Sequence, residues 1–518
     1  MSLAVNYSAI PSTSSSTEAA GSSSRPTSRG STMSSTVGSR SNSRRPLRRR
    51  KSTSNTYRGE ASFASSVINL LNTIVGAGVL AMPLAMSHMG MFLGILTILF
   101  SGLAAGFGLY LQTRCARYVD RGTASFFTLS QLTYPSAAIV FDGAIAIKCF
   151  GVAISYLIII GDLMPQVALG LWPGAADVGY LLDRHFWITG FMLVMIPISF
   201  LRRLDSLKYT SFIALVSIGY LVIIVLAHFL KGDTLEERGE VHYFQWAGAV
   251  TFFSSFPIMV FAYTCHQNMF SILNEIKDNS RKQTTGVVFA SIGIAASIYI
   301  LVAITGYLSF GDNVGGNIIA MYHESVASTI GRAAIVVLVM FSYPLQIHPC
   351  RASIHNILKW RPSKPIALPL ASRTSLAVTA APGADMTDVR FAVISTILIA
   401  STYATAMTVS SLERVLAYVG STGSTSISFI LPGLFYWRIA RPGVGANKIN
   451  HAGDGSDESS DEDDDTGVIF PPGVERESAK VRRWLRRGAA VLMGYGFTVM
   501  TICLTMNIFF NANGSGHH

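Results

Sequence analysis

The chain has 518 residues, of which 50% are hydrophobic and only 13% charged, with a mean hydropathy of +0.42 and a net charge of +11. That balance over this length excludes an ordinary water-soluble domain and indicates a multi-span membrane protein. The positive charge does not mark a nucleic-acid binder, because it is spread over connections between apolar runs.

Residues 1–58 are rich in Ser, Thr and Arg, with Glu18 as the one acidic residue and a basic cluster from Arg44 to Lys51. Too few large apolar side chains are present for the amphipathic helix of a mitochondrial transit peptide. The segment reads as a disordered cytosolic tail whose basic cluster is either a membrane-surface or phospho-regulated contact, or an inert tether. No cleavable signal peptide is visible, so the first apolar run is itself the insertion signal.

Apolar runs of about 20 residues predict eleven spans, near 62–88, 91–113, 137–161, 186–201, 208–230, 246–272, 284–309, 328–350, 390–411, 414–436 and 487–511. The first holds Asn69 to Pro83, in which two Asn, a Thr and the triplet Gly76-Ala77-Gly78 interrupt an apolar frame. Irregular backbone at bilayer depth is tolerated only where it faces protein or a water-filled cavity, so a break here would mark a site. The alternative is close helix packing through small residues.

Alternate connections carry the basic residues: Arg114, Arg117 and Arg121, then Arg202, Arg203 and Lys208, then Lys277, Arg281 and Lys282, then Arg351, Lys359, Arg361, Lys364 and Arg373. The connections between them are acidic or sparse, with Asp162, Asp177 and Asp183 beside Arg184, then Asp233, Glu236, Glu237 and Glu240 against Lys231 and Arg238, then Asp312 and Glu324. The positive-inside rule puts the N-terminus in the cytosol and, with eleven spans, the C-terminus outside or in a lumen. Cys115, Cys149, Cys265, Cys350 and Cys503 lie within or at the ends of spans, so no structural disulfide is expected.

The sixth span carries Thr264, Cys265, His266, Gln267 and Asn268 as one polar block, which a lipid-facing helix would not bear cheaply. Interrupted segments at corresponding places in two five-helix halves point to an inverted-repeat transporter with its site near the midplane. In the third span Lys148 lies about eleven residues in, roughly 16 Å deep at 1.5 Å per residue. It is either a proton carrier or cation substitute, or a structural partner of Asp142 or of helix-end carbonyls. Beyond the tenth span, 437–485 form a disordered cytosolic loop with the acidic run Ser456 to Asp465, which suits an acidophilic kinase or simply solvates the loop. Residues 486–512 hold the last helix, and 513–518, ending Gly-Ser-Gly-His-His, read as a tag remnant.

Asn69 to Pro83, Ile147 to Asp162 and Phe261 to Glu275 together resemble the amino acid/auxin permease family, most closely its fungal vacuolar amino-acid transporters and more distantly the animal sodium-coupled neutral amino-acid transporters. The resemblance covers about residues 60–436 and the last helix. It implies an all-α integral membrane fold of eleven helices: a five-plus-five inverted repeat at 59–436, with the first and sixth helices broken, plus one C-terminal helix.

It also implies residue roles. Asn72 and Ser342 match the positions that serve sodium in the animal relatives, while the fungal vacuolar branch is generally proton-driven; an interhelical bond for Asn72 and a backbone cap ahead of Pro344 for Ser342 are the structural alternatives. Tyr156 resembles the aromatic residue that closes over substrate in this fold, or is a packed core Tyr. The substrate carboxylate is expected on N–H groups at Gly76, Ala77 and Gly78, and its ammonium near carbonyls at Tyr263, Thr264, Cys265 and His266. His266 could titrate in an acidic lumen or be a satisfied interhelical His. Asn72, Ser342 and Lys148 form the ion-coupling set, with a proton or sodium as the coupling ion and no other cofactor.

The function expected is secondary active amino-acid transport by alternating access, ion-coupled and exporting from the vacuole to the cytosol. The partners are an amino acid and membrane lipid, and a monomer is expected. Two alternatives stand beside it: an amino-acid sensor signalling through the N-terminal tail, and sodium-coupled uptake at the plasma membrane. No metalloprotease, nucleophile-elbow or phosphate-loop motif is present, which places a membrane enzyme last.

Overall fold

The computed structural model of the chain describes residues 59–119, 121–202, 210–359, 386–441 and 478–509. The basic tail, Arg203 and Lys208, most of the proline-rich connection after Lys359, the acidic run and the tag-like end lie outside the described residues.

The described residues are helical, with no strand beyond one isolated parallel bridge, Ala61 to Ile276. In chain order the helices are α1 (Phe63–Ile74), α2 (Met82–Met89), α3 (Met91–Cys115), α4 (Phe126–Thr133), α5 (Ala138–Leu171), α6 (Gly179–Leu182), α7 (Arg184–Ser199), α8 (Thr210–Lys231), α9 (Ala249–Ala262), α10 (His266–Glu275), α11 (Arg281–Phe310), α12 (Ile318–Met321), α13 (Val326–Lys359), α14 (Asp388–Thr408), α15 (Leu412–Val419), α16 (Leu431–Ile439) and α17 (Ala479–Phe509). Among them eight helical stretches are long and apolar enough to cross a membrane, and nine if the bent pair formed by α1 and the run Ala77–Met89 is one span. The expected fourth and tenth spans differ from simple membrane helices. The fourth is the 16-residue α7, and the tenth is α15 and α16 joined through two π-helical segments, Gly420–Ser424 and Ser426–Ile430.

Capping side chains start several helices. Ser62 accepts from the Ser65 amide at the head of α1, Ser280 does the same for α11, and Asp183 for α7. The exposed Asp183 carboxyl is held below its ordinary range by the His185 amide and then by the His185 ring. Gly90, at φ 76°, allows the tight reversal from α2 into α3, a conformation that side chains disfavour.

Contacts sort the connections into two ends. At one end the Ala61 amide donates to Glu275 O (2.9 Å), Lys277 N donates to Ala61 O (2.9 Å), and Arg121 donates to the carbonyls of Ile276 and Lys277. At the other, His242 pairs with Asp312 at 3.0 Å, His228 with Asp233 at 2.8 Å, and Ala247 N donates to His88 O. Arg121 and Lys277 lie at the first end, and the Asp233 and Asp312 carboxylates with their histidines at the second. Between the ends, α1, α2, α9 and α10 each pack on α3 or α11, with α13 packed along α5.

Candidate functional site

Both interrupted segments break. Helix α1 stops at Ile74; Val75 is extended, Gly76 has φ −143° and ψ −143°, and the chain re-enters helix through a 3-10 turn, Ala77–Ala81, with an overall bend of 49°. In the sixth span α9 ends at Ala262 and α10 begins at His266, leaving Tyr263, Thr264 and Cys265 outside both. Each break exposes a helix C-terminus, where carbonyls lack intrahelical donors, and an N-terminus, where amides lack acceptors.

The two breaks touch. A Cβ on Gly78 would stand 2.7 Å from Ala262 Cβ and 2.8 Å from Ala262 Cα, so this position needs its missing side chain for close approach. A Cβ on Gly76 would meet nothing within 4 Å. Of the three expected carboxylate-facing positions, Gly76 therefore borders open space, whereas Ala77 is buried and Gly78 is packed against the opposite break.

Above both lies a residue that the sequence reading missed. The Tyr299 hydroxyl, on α11 and fully buried, is 2.7 Å from Ile74 O and 2.8 Å from Ala262 O, the last carbonyls of α1 and α9. One phenolic hydrogen serves both acceptors. Its ring meets that of Tyr263 edge-on at 5.1 Å, and the buried Tyr263 hydroxyl, which has no hydrogen-bond partner among the described residues, lies against Gly102 of α3. The only sequence signal for Tyr299 is a phenol in an apolar helix that also holds Tyr307, which an ordinary core Tyr gives too.

The sixth-span polar block is spent largely on neighbouring helices. Thr264 Oγ1 donates to Val260 O (2.7 Å) and lies 3.2 Å from Ser428 Oγ in the second π segment. His266 is fully buried, and its Nε2 is 3.1 Å from Ala105 O of α3, the arrangement of an interhelical donor. Asn268 Nδ2 donates to Thr73 Oγ1 at 3.1 Å, tying α10 to α1. Cys265 is buried, and so is Lys148 of α5, 4% exposed. Among the described residues Lys148 makes no ion pair; Asp142 instead receives Asn356 Nδ2 at 3.4 Å. Gly423, in the first π segment, lies against the Lys148 backbone. A π turn inside an α-helix often marks a functional position, and here the two place Gly423 and Ser428 beside Lys148 and Thr264. The small polar run Gly420 to Ser426 was its legible signal.

The remaining expected residues lie on α5, α13 and α1. Tyr156 on α5 is half-buried. Ser342 Oγ donates back to Leu338 O at 2.8 Å on its own helix, one turn ahead of Pro344. Asn72 lies half-buried on α1, one turn before Gly76. Among the described residues no three His, Cys, Asp or Glu side chains converge as a metal site. A cavity of about 320 Å³, bordered by His88, Ser255, Glu413 and Arg414, opens between α2, α9 and α15; His88 Nδ1 is 2.5 Å from Ser255 Oγ across it.

Comparison with known proteins agrees with this architecture. The chain is 43% identical over 456 residues to "Vacuolar amino acid transporter 5" of Schizosaccharomyces pombe, covering 88% of this chain and 96% of that one. It is 42% identical over 408 residues to "Vacuolar amino acid transporter 6" of Saccharomyces cerevisiae, covering 73% and 90%. Its fold is similar to the crystal structure of MhsT in complex with L-phenylalanine, with a TM-score of 0.50 at 14% identity over 86% of this chain and 99% of that one. The pattern of the family described as "Transmembrane amino acid transporter protein" matches residues 59–449. The chain belongs to this family, one of multi-pass membrane transporters and not of enzymes.

Proposed function

We propose that this chain is a secondary active transporter that moves amino acids across the vacuolar membrane by alternating access, coupled to an ion gradient and exporting to the cytosol. The observation that carries this reading is the meeting of two broken helices, with Gly78 on Ala262 and one phenol shared by both helix ends. Such discontinuous helices offer amides to a carboxylate and carbonyls to an ammonium near the bilayer midplane. The vacuolar relatives support the compartment, and the separation of basic from acidic ends supports a cytosolic N-terminus. In this reading the short α7 and the π-interrupted segment are the fourth and tenth of eleven crossings, and the first ten form two five-helix repeats.

The substrate carboxylate sits on the open side of the first break, at the amides that follow Gly76. Cys265 O accepts the Asn268 amide at 3.0 Å, which leaves Tyr263 and Thr264 to receive the ammonium. Closure of Tyr156 from α5 and displacement of the half-helices relative to α3 and α13 would expose this centre to one end at a time. Asn72, Ser342 and Lys148 are the positions assigned to ion coupling, with Ser342 requiring a turn away from Leu338 O to serve a cation.

Labelled amino-acid flux into proteoliposomes tests this, with a proton gradient in one set and a sodium gradient in another, comparing native protein with Asn72→Ala. Flux driven by one gradient and weakened in the variant is expected. Binding without flux under either gradient would refute transport and favour a sensor.

A further inference from the structure

We propose that the Tyr299 hydroxyl occupies the place of a cation between the two helix breaks and is the positioning residue that holds them in register. The inference rests on the transport reading and concerns what balances the charge at its centre. Ile74 and Ala262 are the last residues of α1 and α9. Their carbonyls belong to the unpaired set at a helix C-terminus and sit at the negative end of each macrodipole. Two such ends brought together in a dehydrated interior repel unless a positive partner lies between them. In transporters with broken helices, half-helix C-termini and unwound carbonyls are where coupling cations are held.

Here the partner is covalent. The phenolic oxygen lies 2.7 and 2.8 Å from the two carbonyls. A cation could join both only by displacing it. The ring is fixed by its edge-on contact with Tyr263, and Tyr299 is fully buried, so the hydroxyl is presented without freedom to leave. A neutral O–H also avoids the desolvation that burying an ion would cost. The substrate ammonium is thereby directed past Ile74 and Ala262 to the next carbonyls of the sixth-span break. Tyr299 acts through these two carbonyls and fixes the spacing of the breaks, and with it the distance between carboxylate and ammonium subsites.

The test uses the purified full-length chain, native and Tyr299→Phe, melted in sodium, lithium and choline chloride at equal ionic strength. Proton-driven uptake of a labelled amino-acid mixture is measured in the same salts. Asn72→Ala, which removes the separate sodium candidate at Asn72 and Ser342, is melted alongside and should melt alike in all three. Tyr299→Phe should lose flux roughly tenfold in choline, as expected for two orphaned buried carbonyls, and sodium or lithium should restore part of both flux and melting temperature. Sodium-specific stabilisation that persists in Asn72→Ala overturns the proposal. So does a Tyr299→Phe variant that matches native protein in choline, or one whose loss, relative to native protein in the same salt, no cation relieves. If Tyr299→Phe does not fold, the Asn72→Ala melting series decides alone. Melting requires no transport, so absent flux in native liposomes bears on the transport reading and not on Tyr299.

Discussion

The first and sixth spans are both interrupted, yet their breaks are opposites. At the first, glycine leaves the backbone beside open space at Gly76; at the sixth, the side chains of Tyr263, Thr264, Cys265 and His266 are buried and mostly turned into neighbouring helices. The glycine break has the composition of a binding surface built from main chain, whereas the polar break fixes its own position through side chains. Polar residues in a membrane helix thus serve two ends, and only their partners tell which. The half-helices extend the contrast. The backbone bridge at Ala61 and Ile276 straps α1 to α10, while α2 is tied to α9 by the His88–Ser255 side-chain contact as well as by the Ala247 amide on His88 O.

The largest expected effect tests whether the two breaks depend on each other. Gly78→Ala places a methyl within 2.8 Å of the Ala262 backbone, and overpacking of this kind costs about 1–3 kcal/mol. A lowered melting temperature and lost flux are expected together; a variant with native melting would show that the breaks do not touch. His266→Ala comes next, removing the bond to Ala105 O and leaving a cavity, for roughly 2 kcal/mol. If His266 is structural, the pH profile of the remaining flux stays native, and a displaced profile would make it a proton carrier instead. Thr264→Val keeps the shape and removes the bonds to Val260 O and Ser428, for about 1 kcal/mol. Thermal melting should register that loss with little change in KM; a large KM change at native stability would move Thr264 from the scaffold to the substrate.

The sequence carried the breaks themselves, because glycine clusters and polar blocks are local and apolar runs report bilayer depth directly. It also carried the end-to-end charge separation, since Arg121 and Asp312 announce their sides by type alone. What it could not carry was assembly. Tyr299 is separated from Ile74 and Ala262 by long stretches of chain, and nothing about one of two tyrosines in an apolar helix says that its hydroxyl meets two helix ends. The same holds for Ser428 and Gly423, which reach the centre because π turns shift the face of the tenth segment. His266 shows the converse: its position in the break was legible, but its bond to Ala105 O depends on how α3 packs.

The smallest expected stability change is also the sharpest test of the contrast. Gly76 lies at negative φ, and no atom stands within 4 Å of where its Cβ would be, so Gly76→Ala should change stability by no more than about 0.5 kcal/mol. If the open space at the first break receives the substrate carboxylate, the added methyl intrudes on it and KM should rise several-fold while melting and protein yield stay native. Gly78→Ala should behave the other way, losing fold and flux together. The separation of the two phenotypes, two residues apart in one triplet, would assign binding to the open glycine and packing to the closed one. Native KM in Gly76→Ala would instead mean that the carboxylate is held elsewhere, and that the open side of the first break is a consequence of the bend and not its purpose.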